Sequence, residues 1–477
     1  MESSDSNSAA AGGKTQNASV PPVEGVAGGG TSYGWVDGGL QGTSLGACVI
    51  DPTKVRSEDL LHVWSMPSTA NVSQQEAPRP LEKVNLLAAR NERESFQIAL
   101  RPKVSWATSG IAGSVQLQCT DLCSSSGDRL VVGQSITLRR VVPILGVPDA
   151  LVPIDPLSPQ ISLHPGETAT VWVSLNVPCG QPPGLYEGEI FITAVKTELE
   201  YLKLSLKIVS VWNMGLKDAD HPKADEYYSD PRLSAYAVPY APILSCTDAA
   251  KNSLRREVEI LKSKPHWPKG PSGSELAPST FEAFVKVPNV LRPHTQIFCT
   301  SEWVLGTRED LVKDIVAELR PDLGEEWWTY VCMGPSDPQP NWHLGMRGTQ
   351  HRAVMWRVWK EGGTGFLYWG TNCYERAMIP SAEICFRRGL PPGDGVLFYP
   401  GEVFSPSHEP VASSRLERIL SGMQDIEYLK LYSSRYGREE GLALLEKTGM
   451  YLGPDRYTLD HGPVDVMRGE VYRTCRS

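Results

Sequence analysis

Hydrophobic and polar positions alternate along residues 47–212, then change period. Ser95 to Leu100, Ser114 to Leu117, Ile136 to Val142, Thr168 to Val177, Glu187 to Ala194 and Leu202 to Val211 are short runs typical of half-buried strands. In Thr170-Val171-Trp172-Val173-Ser174-Leu175 the period of two is plain. Turn formers such as Pro165-Gly166 and Pro182-Pro183-Gly184 separate the runs. Several short strands at close spacing predict a β-sandwich.

After Trp212 the pattern becomes alternating helix and strand. Thr247 to Lys262 places Ala250, Leu254, Val258 and Leu261 on one helical face, and a short helix is expected near Phe281 to Val285. A strand follows near Thr295 to Cys299. Thr307-Arg308-Glu309-Asp310 resembles a capping box before a helix carrying Leu311, Val312, Ile315, Val316 and Leu319 and stopped by Pro321. The organising unit is Trp327 to Glu375. Trp327 to Cys332 reads as a buried strand, and Gly334 to Asn341, with three prolines, as an ordered loop. Thr349 to Glu361 is apolar almost all round, as in a helix buried on most faces, and Gly362-Gly363 ends it. Gly365 to Gly370 is a second buried strand. Strand, crossover helix and strand predict a parallel pair, and ligands of parallel sheets gather at the carboxyl ends of the strands. Those ends carry Tyr330, Asp337, Asn341, Trp369 and Asn372, and Glu302 follows the earlier strand in the same way, with Trp303 beside it. Each is a candidate substrate contact, and each equally suits a turn. Further on, Gly395 to Tyr399 reads as a strand. Ser413 to Tyr432 reads as a long helix with Leu416, Ile419, Leu420, Met423 and Ile426 facing inward, and Glu439 to Lys447 as a last helix ended by Gly449.

Composition narrows the function classes. The chain has 477 residues, enough for two or three domains, and 41% hydrophobic content provides real cores. Residues 1–45 are rich in Ser, Ala, Gly and Asn, too polar to offset ordering entropy, so disorder is expected there. With a net charge of −9 and no basic run, neither nucleic acid nor an anionic membrane is an expected partner. No apolar stretch approaches the roughly 18–20 residues of a membrane span. The amino terminus has no apolar core region of a secretory signal and, carrying Glu2 and Asp5 without arginine, is unlike a transit peptide. A cytoplasmic protein with reduced thiols is therefore expected. The 10 cysteines are scattered without zinc spacing, and His343, His351 and His408 are not at ligand spacing, so neither metal nor cofactor is expected. No nucleophile elbow, P-loop or dinucleotide fingerprint occurs. The 13 tryptophans and 17 tyrosines exceed ordinary packing needs; sugar sites use such rings as platforms for pyranose C–H faces, and large cores use them too.

A set of segments in fixed order now carries a resemblance. Trp328-Thr329-Tyr330-Val331-Cys332-Met333-Gly334-Pro335, the buried helix ending Trp359-Lys360, and Gly365-Phe366-Leu367-Tyr368-Trp369 come first. Asp394-Gly395-Val396-Leu397-Phe398-Tyr399-Pro400-Gly401, Ser414-Arg415-Leu416-Glu417 and Gly422 to Leu429 follow. Together they resemble the carboxyl-terminal half of glycoside hydrolase family 123, in wording closest to plant members. Asn91-Glu92-Arg93-Glu94-Ser95-Phe96-Gln97 resembles the start of that family's sandwich, and Pro183-Gly184-Leu185-Tyr186-Glu187-Gly188 resembles an edge of accessory β domains in carbohydrate-active proteins. The resemblance implies a multidomain β plus α/β protein, with an N-terminal β-sandwich (46–212) and a (β/α)8-type barrel (213–477). It also implies a carbohydrate ligand and substrate-assisted hydrolysis of β-linked N-acetylgalactosamine. In that route the acetamido oxygen attacks the anomeric carbon, an aspartate orients the amide, and the adjacent glutamate protonates the leaving oxygen.

The sequence departs from that pattern at its chemical centre. The family's Asp–Glu pair sits at a strand end after a helix like Thr247–Lys262, and here that helix runs into His266-Trp267-Pro268-Lys269-Gly270 with no such pair. Asp225-Glu226, the only adjacent Asp-Glu in the chain, lies in a polar stretch that reads as a solvated loop. Between Trp212 and Tyr432 four strands are found where a barrel needs eight. An incomplete, open barrel with internal segments missing is expected. Three readings follow: a glycosidase relative, a non-catalytic glycan-binding or interaction protein, and a non-functional isoform.

Overall fold

The alternating runs do form sheets that bury one face. In this computed structural model the described residues are 60–103, 113–155, 159–195, 236–237, 256, 259–260, 263, 271–272, 296–378, 383–404 and 408–475. Strands β1 (Leu61–Pro67), β2 (Arg93–Pro102), β6 (Ile136–Ile144), β7 (Val147–Pro153) and β9 (Ala169–Asn176) make an antiparallel sheet in the order β1-β2-β9-β6-β7. A second sheet runs β11-β3-β8 (Ile190–Val195, Gly113–Cys119, Gln160–Leu163). A small third one joins β10 (Tyr186–Glu187), β4 (Leu122–Ser124) and β5 (Arg129–Leu130). Val63, Ile98, Leu100, Val171 and Val173 of the first sheet meet Val115, Leu117, Ile161, Leu163 and Ile192 of the second in one apolar cluster. Area removed from water there, at about 25 cal/mol per Å2, holds the sandwich together. The expected run Leu202–Val211, the helices expected at Thr247–Lys262 and Phe281–Val285 (apart from isolated positions of the former), the amino-terminal tail and Asp225-Glu226 lie outside the described residues.

The second half is built on a parallel sheet in the order β12-β13-β14-β15-β16: Tyr236–Ala237, Pro271–Ser272, Ile297–Ser301, Glu326–Val331 and Gly365–Tyr368. The predicted unit of strand, crossover helix and strand is realised, with α3 (Gly348–Glu361) between β15 and β16 and Trp328 opposite Gly365. Two short helices, α1 (Glu302–Leu305) and α2 (Glu309–Glu318), link β14 to β15. Twelve of the fourteen residues of α3 are buried, and Gly362 ends it at φ +93°, where an L side chain is strained. Among the described residues the sheet is a single line of five strands.

Four expectations change. Thr307 does not cap α2: Arg308 takes the N-cap position, makes no side-chain cap hydrogen bond, and pairs with Asp310 instead. Gly395–Tyr399 is not a strand of the parallel sheet. Past the antiparallel pair β17 (Tyr374–Met378) and β18 (Glu383–Phe386), Gly393 and Gly395 both take positive φ, and of this stretch only β19 (Phe398–Tyr399) forms a strand, antiparallel to β20 (Val411–Ala412). The fold also continues past the last expected helix. Beyond Gly449, β21 (Tyr451–Gly453), β22 (Arg456–Tyr457) and a helix at Gly462–Cys475 complete a core with Trp356, Trp359 and Leu429.

The fourth change concerns the long helix α4 (Ser414–Tyr436). Ile419 is buried as expected, but Leu416, Leu420 and Ile426 are only half-buried, and Met423 is 51% exposed. Leu416, Ile419 and Ile426 still pack in an apolar cluster, and a second, polar face is buried too: Arg415, Glu417, Arg418, Ser421 and Asp425. It packs on the outer face of the first sandwich sheet, where Trp64, Gln97, Trp172 and Ser174 are all buried. Arg418 donates to the carbonyls of Ser68 and Ala70 and lies over the Trp172 ring at 5.9 Å. Glu417 pairs with Arg93 and Arg139. The last helix, α6 (Gly462–Cys475), with α5 (Arg438–Lys447) before it, adds Arg468 between Glu92, Glu94 and Asp425. Buried charges survive away from water only when paired and hydrogen-bonded, and here they are.

Candidate functional site

Register fixes what stands at the carboxyl edge of the parallel sheet. Ser301, Tyr330 and Leu367 form one row across β14, β15 and β16. Two residues further along each chain segment come Trp303, in α1, Cys332 and Trp369. Trp303 is 49% exposed and its ring lies on Gly334, where a Cβ would collide with it. Ser301 caps α1 by accepting from the Trp303 backbone N–H at 3.2 Å, which fixes where this tryptophan leaves the sheet.

Trp369 is half-buried and held on three sides. Its Nε1 donates to Asp394 Oδ1 at 2.8 Å. Its ring covers Gly395, which sits at φ +71° with no room for a Cβ. Before it in the chain, Tyr368 donates to the same Asp394 oxygen at 3.3 Å and accepts from Gly395 N–H at 2.8 Å. Burial pushes the Tyr368 hydroxyl far above its usual range, so it stays a donor. Asp394 itself is 2% exposed, and burial raises its carboxyl against the opposing pull of the Trp369 hydrogen bond. Its second oxygen, Oδ2, has no hydrogen-bond partner among the described residues.

The loop after β15 is tied closed beneath these rings. Asn341 donates to the carbonyls of Cys332 and Pro335 at 2.9 and 2.7 Å. His343 Nε2 lies 2.8 Å from the Cys332 carbonyl, which can only accept, so Nε2 carries the proton; burial lowers this imidazole's pKa and keeps it neutral. Trp342 packs on Phe366 and edge-on to Tyr368 at centroid distances of 4.7 and 4.8 Å. Arg415 Nη1 donates to the carbonyls of Trp342 and Gly393, while its Nε bonds Asp149 of the sandwich at 3.0 Å. The sandwich thus reaches the floor of the site through one guanidinium.

The six residues singled out in the sequence divide. Trp369, Asn372 and Asp337 stand at or near the surface of the strand ends. Asn372 bridges to Val396, and Asp337 accepts from Gln350 at 2.5 Å. Tyr330 is turned into the core at 5% exposure. Asn341 is fully buried, its amide spent on the Cys332 and Pro335 carbonyls of the loop beyond β15. Glu302 is buried on Arg357, with Nε to Oε2 at 2.5 Å, and Arg357 also holds Glu361. These three serve the fold. Asp394, Tyr368 and His343 were not among the candidates. Asp394-Gly395 was visible only as part of a segment that carries the family resemblance, and only the fold brings it to the Trp369 ring. Among the described residues no group of three or more His, Cys, Asp or Glu side chains is placed to hold a metal, and no helix is long and apolar enough to cross a membrane. The arrangement can stack a flat apolar ligand face on indole and offer an acceptor beside it.

Residues 302–432 match the family model described as glycoside hydrolase 123, catalytic domain. A family 123 glycoside hydrolase from Clostridium perfringens, whose structural analysis concerned glycolipid glycan hydrolysis, has the same fold. It aligns with a TM-score of 0.61 at 12% identity, over 87% of this chain and 98% of that one. No curated protein matches the sequence. The resemblance to glycoside hydrolase family 123 is borne out over the matched segment.

Proposed function

We propose that this glycoside hydrolase 123-like chain binds a glycan at the carboxyl ends of β14–β16 and does not cleave it. The ligand class is a saccharide ending in β-linked N-acetylgalactosamine, as the family resemblance implies. The observation that carries the binding half is the Trp369 ring, immobilised by Asp394 and Gly395 at the strand end. A preordered ring loses little freedom when a pyranose face lies on it, so stacking is retained as affinity.

The catalytic half rests on chemistry that the sequence does not supply. Substrate-assisted hydrolysis needs an aspartate beside a glutamate, one ionised to steady the acetamide and one protonated to release the leaving group. The sole Asp225-Glu226 lies in a polar stretch, and the pattern after Lys262 lacks the expected strand and pair. A member of plant type lacking internal barrel segments fits both facts. Asn372 and Asp337 then stand as further ligand contacts, with Trp303 as a second platform.

Two measurements test the reading. Incubation with p-nitrophenyl β-N-acetylgalactosaminide is expected to release no nitrophenol above the buffer rate, whereas turnover would refute inactivity. Calorimetric titration with methyl β-N-acetylgalactosaminide is expected to give saturable binding that W369A removes. Equal binding by W369A would remove the site.

A further inference from the structure

Arg357 faces two acids with one N–H. Its Nε donates to Glu361 Oε1 at 3.0 Å, and Glu302 Oε2 lies 2.5 Å from the same nitrogen. The other nitrogens turn elsewhere, Nη1 to Gln339 Oε1 at 3.3 Å and Nη2 to the Gly306 carbonyl at 2.8 Å. Among the described residues neither oxygen of Glu302 has a hydrogen bond, nor has Glu361 Oε2. All three side chains are buried. The groups that face them are the Glu309 carboxylate of α2, the Thr329 hydroxyl of β15 and the Tyr451 hydroxyl of β21. These bring a further carboxylate and two hydroxyls, not a second cation.

Two carboxylates within 3.0 Å of one nitrogen and away from water repel each other. A proton on either one removes the repulsion and supplies the O–H donor that these oxygens lack. Burial raises both carboxyls, and Glu302 adds to the rise at Glu361. The cluster also grips α1 at both ends, through Glu302 at its start and the Gly306 carbonyl just past its end. Leu305, 1% exposed, is the apolar anchor between them.

We propose that Glu302, Arg357 and Glu361 form a pH-sensitive latch, in which one proton shared by the two acids keeps α1 seated on α3 and its loss to water lets α1 open. The latch needs no ligand and stands apart from the glycan-binding reading. The closed cluster holds the proton more tightly than the open one, where both acids meet water. Opening is therefore rare at mildly acidic pH and grows as pH rises, by at most about tenfold per unit for one proton. Trp303 rides on α1, so opening lifts its ring from Gly334.

Hydrogen exchange of the purified full chain, followed by mass spectrometry and corrected for the intrinsic rate, tests the latch. Opening at residues 302–306 is expected to increase at least about tenfold between about pH 5.5 and 8, while β9 of the sandwich keeps its protection. E361Q and E302Q each leave one acid for one guanidinium, so in either variant the opening of α1 is expected to stay level across that range. Wild-type opening of α1 that does not change with pH overturns the proposal, and so does an equal rise in β9, which would mark a general loss of stability. Variants that keep the wild-type rise overturn it as well. The wild-type comparison requires no substitution and decides the matter even if both variants fail to fold.

Discussion

At the scale of single residues, small differences in environment decide the role of like side chains. Trp369 and Trp303 are both tryptophans laid on glycines at the sheet edge, yet only Trp369 is locked by a carboxylate. Gly395→Ala would need a strained positive φ and would press on the Trp369 ring. G395A is therefore expected to lower stability by about 1–3 kcal/mol and to shift tryptophan emission; an unchanged spectrum would show the ring is not seated there. Trp303 leaves the sheet after β14 and Trp369 after β16, with β15 between them, so W303A is expected to weaken oligosaccharides while leaving a monosaccharide untouched. Equal losses for both in titration would contradict that placement. Glu361 illustrates the opposite balance. Burial and the Glu302 carboxylate push it up to about 8, although Arg357 pulls the other way. An acid raised in the folded state binds its proton more tightly there than in the unfolded chain. Stability is then complete below the unfolded value and falls as pH rises through the folded one. The melting temperature is expected to drop between about pH 4.5 and 8, and E361Q should flatten that slope. A slope unaffected by E361Q would assign it to another group.

Among the elements, α4 carries the most information because it is buried on two sides: Ile419, with Leu416 and Ile426, joins an apolar cluster as the pattern predicts, and a polar face is buried as well. A reading by hydrophobicity turns Met423 inward, yet Met423 is exposed while Arg415, Arg418 and Asp425 are buried. The reason is the neighbour: the outer face of the first sandwich sheet offers carbonyls and carboxylates, and a polar helix face satisfies them. Arg415 is the joint, bonding Asp149 on one side and the carbonyls of Trp342 and Gly393 on the other. Removing one partner of such a buried pair leaves a bare charge. R415M is expected to cost about 3–5 kcal/mol in urea denaturation, and the double variant D149L/R415M less than the sum of the two singles. Additive losses would mean that the pair is not coupled.

For the whole molecule, the described residues belong to one compact unit that spans Tyr33–Ser477, and the sandwich and the helices share a buried charged seam. Full-length protein is expected to unfold in one calorimetric transition that includes the sandwich, since opening the seam would bare Arg468, Glu92 and Glu94 together. Two well-separated transitions would show the sandwich folding by itself. The sequence alone determined much of this. Period-two alternation such as that in Thr170–Leu175 fixed sandwich strands, and the Trp327–Gly370 pattern fixed a parallel pair around a buried helix, because both signals are local and set by which face meets water. The ordered segments from Trp328 to Leu429 also pointed to family 123 before any coordinates. Tertiary structure decided the rest. It sent Tyr330, Asn341 and Glu302 inward, buried the polar side of α4, and brought Asp394, 25 positions on in the chain, to the Trp369 indole nitrogen. Such outcomes depend on what packs against a residue from elsewhere, and a pattern read along the chain carries no term for that neighbour.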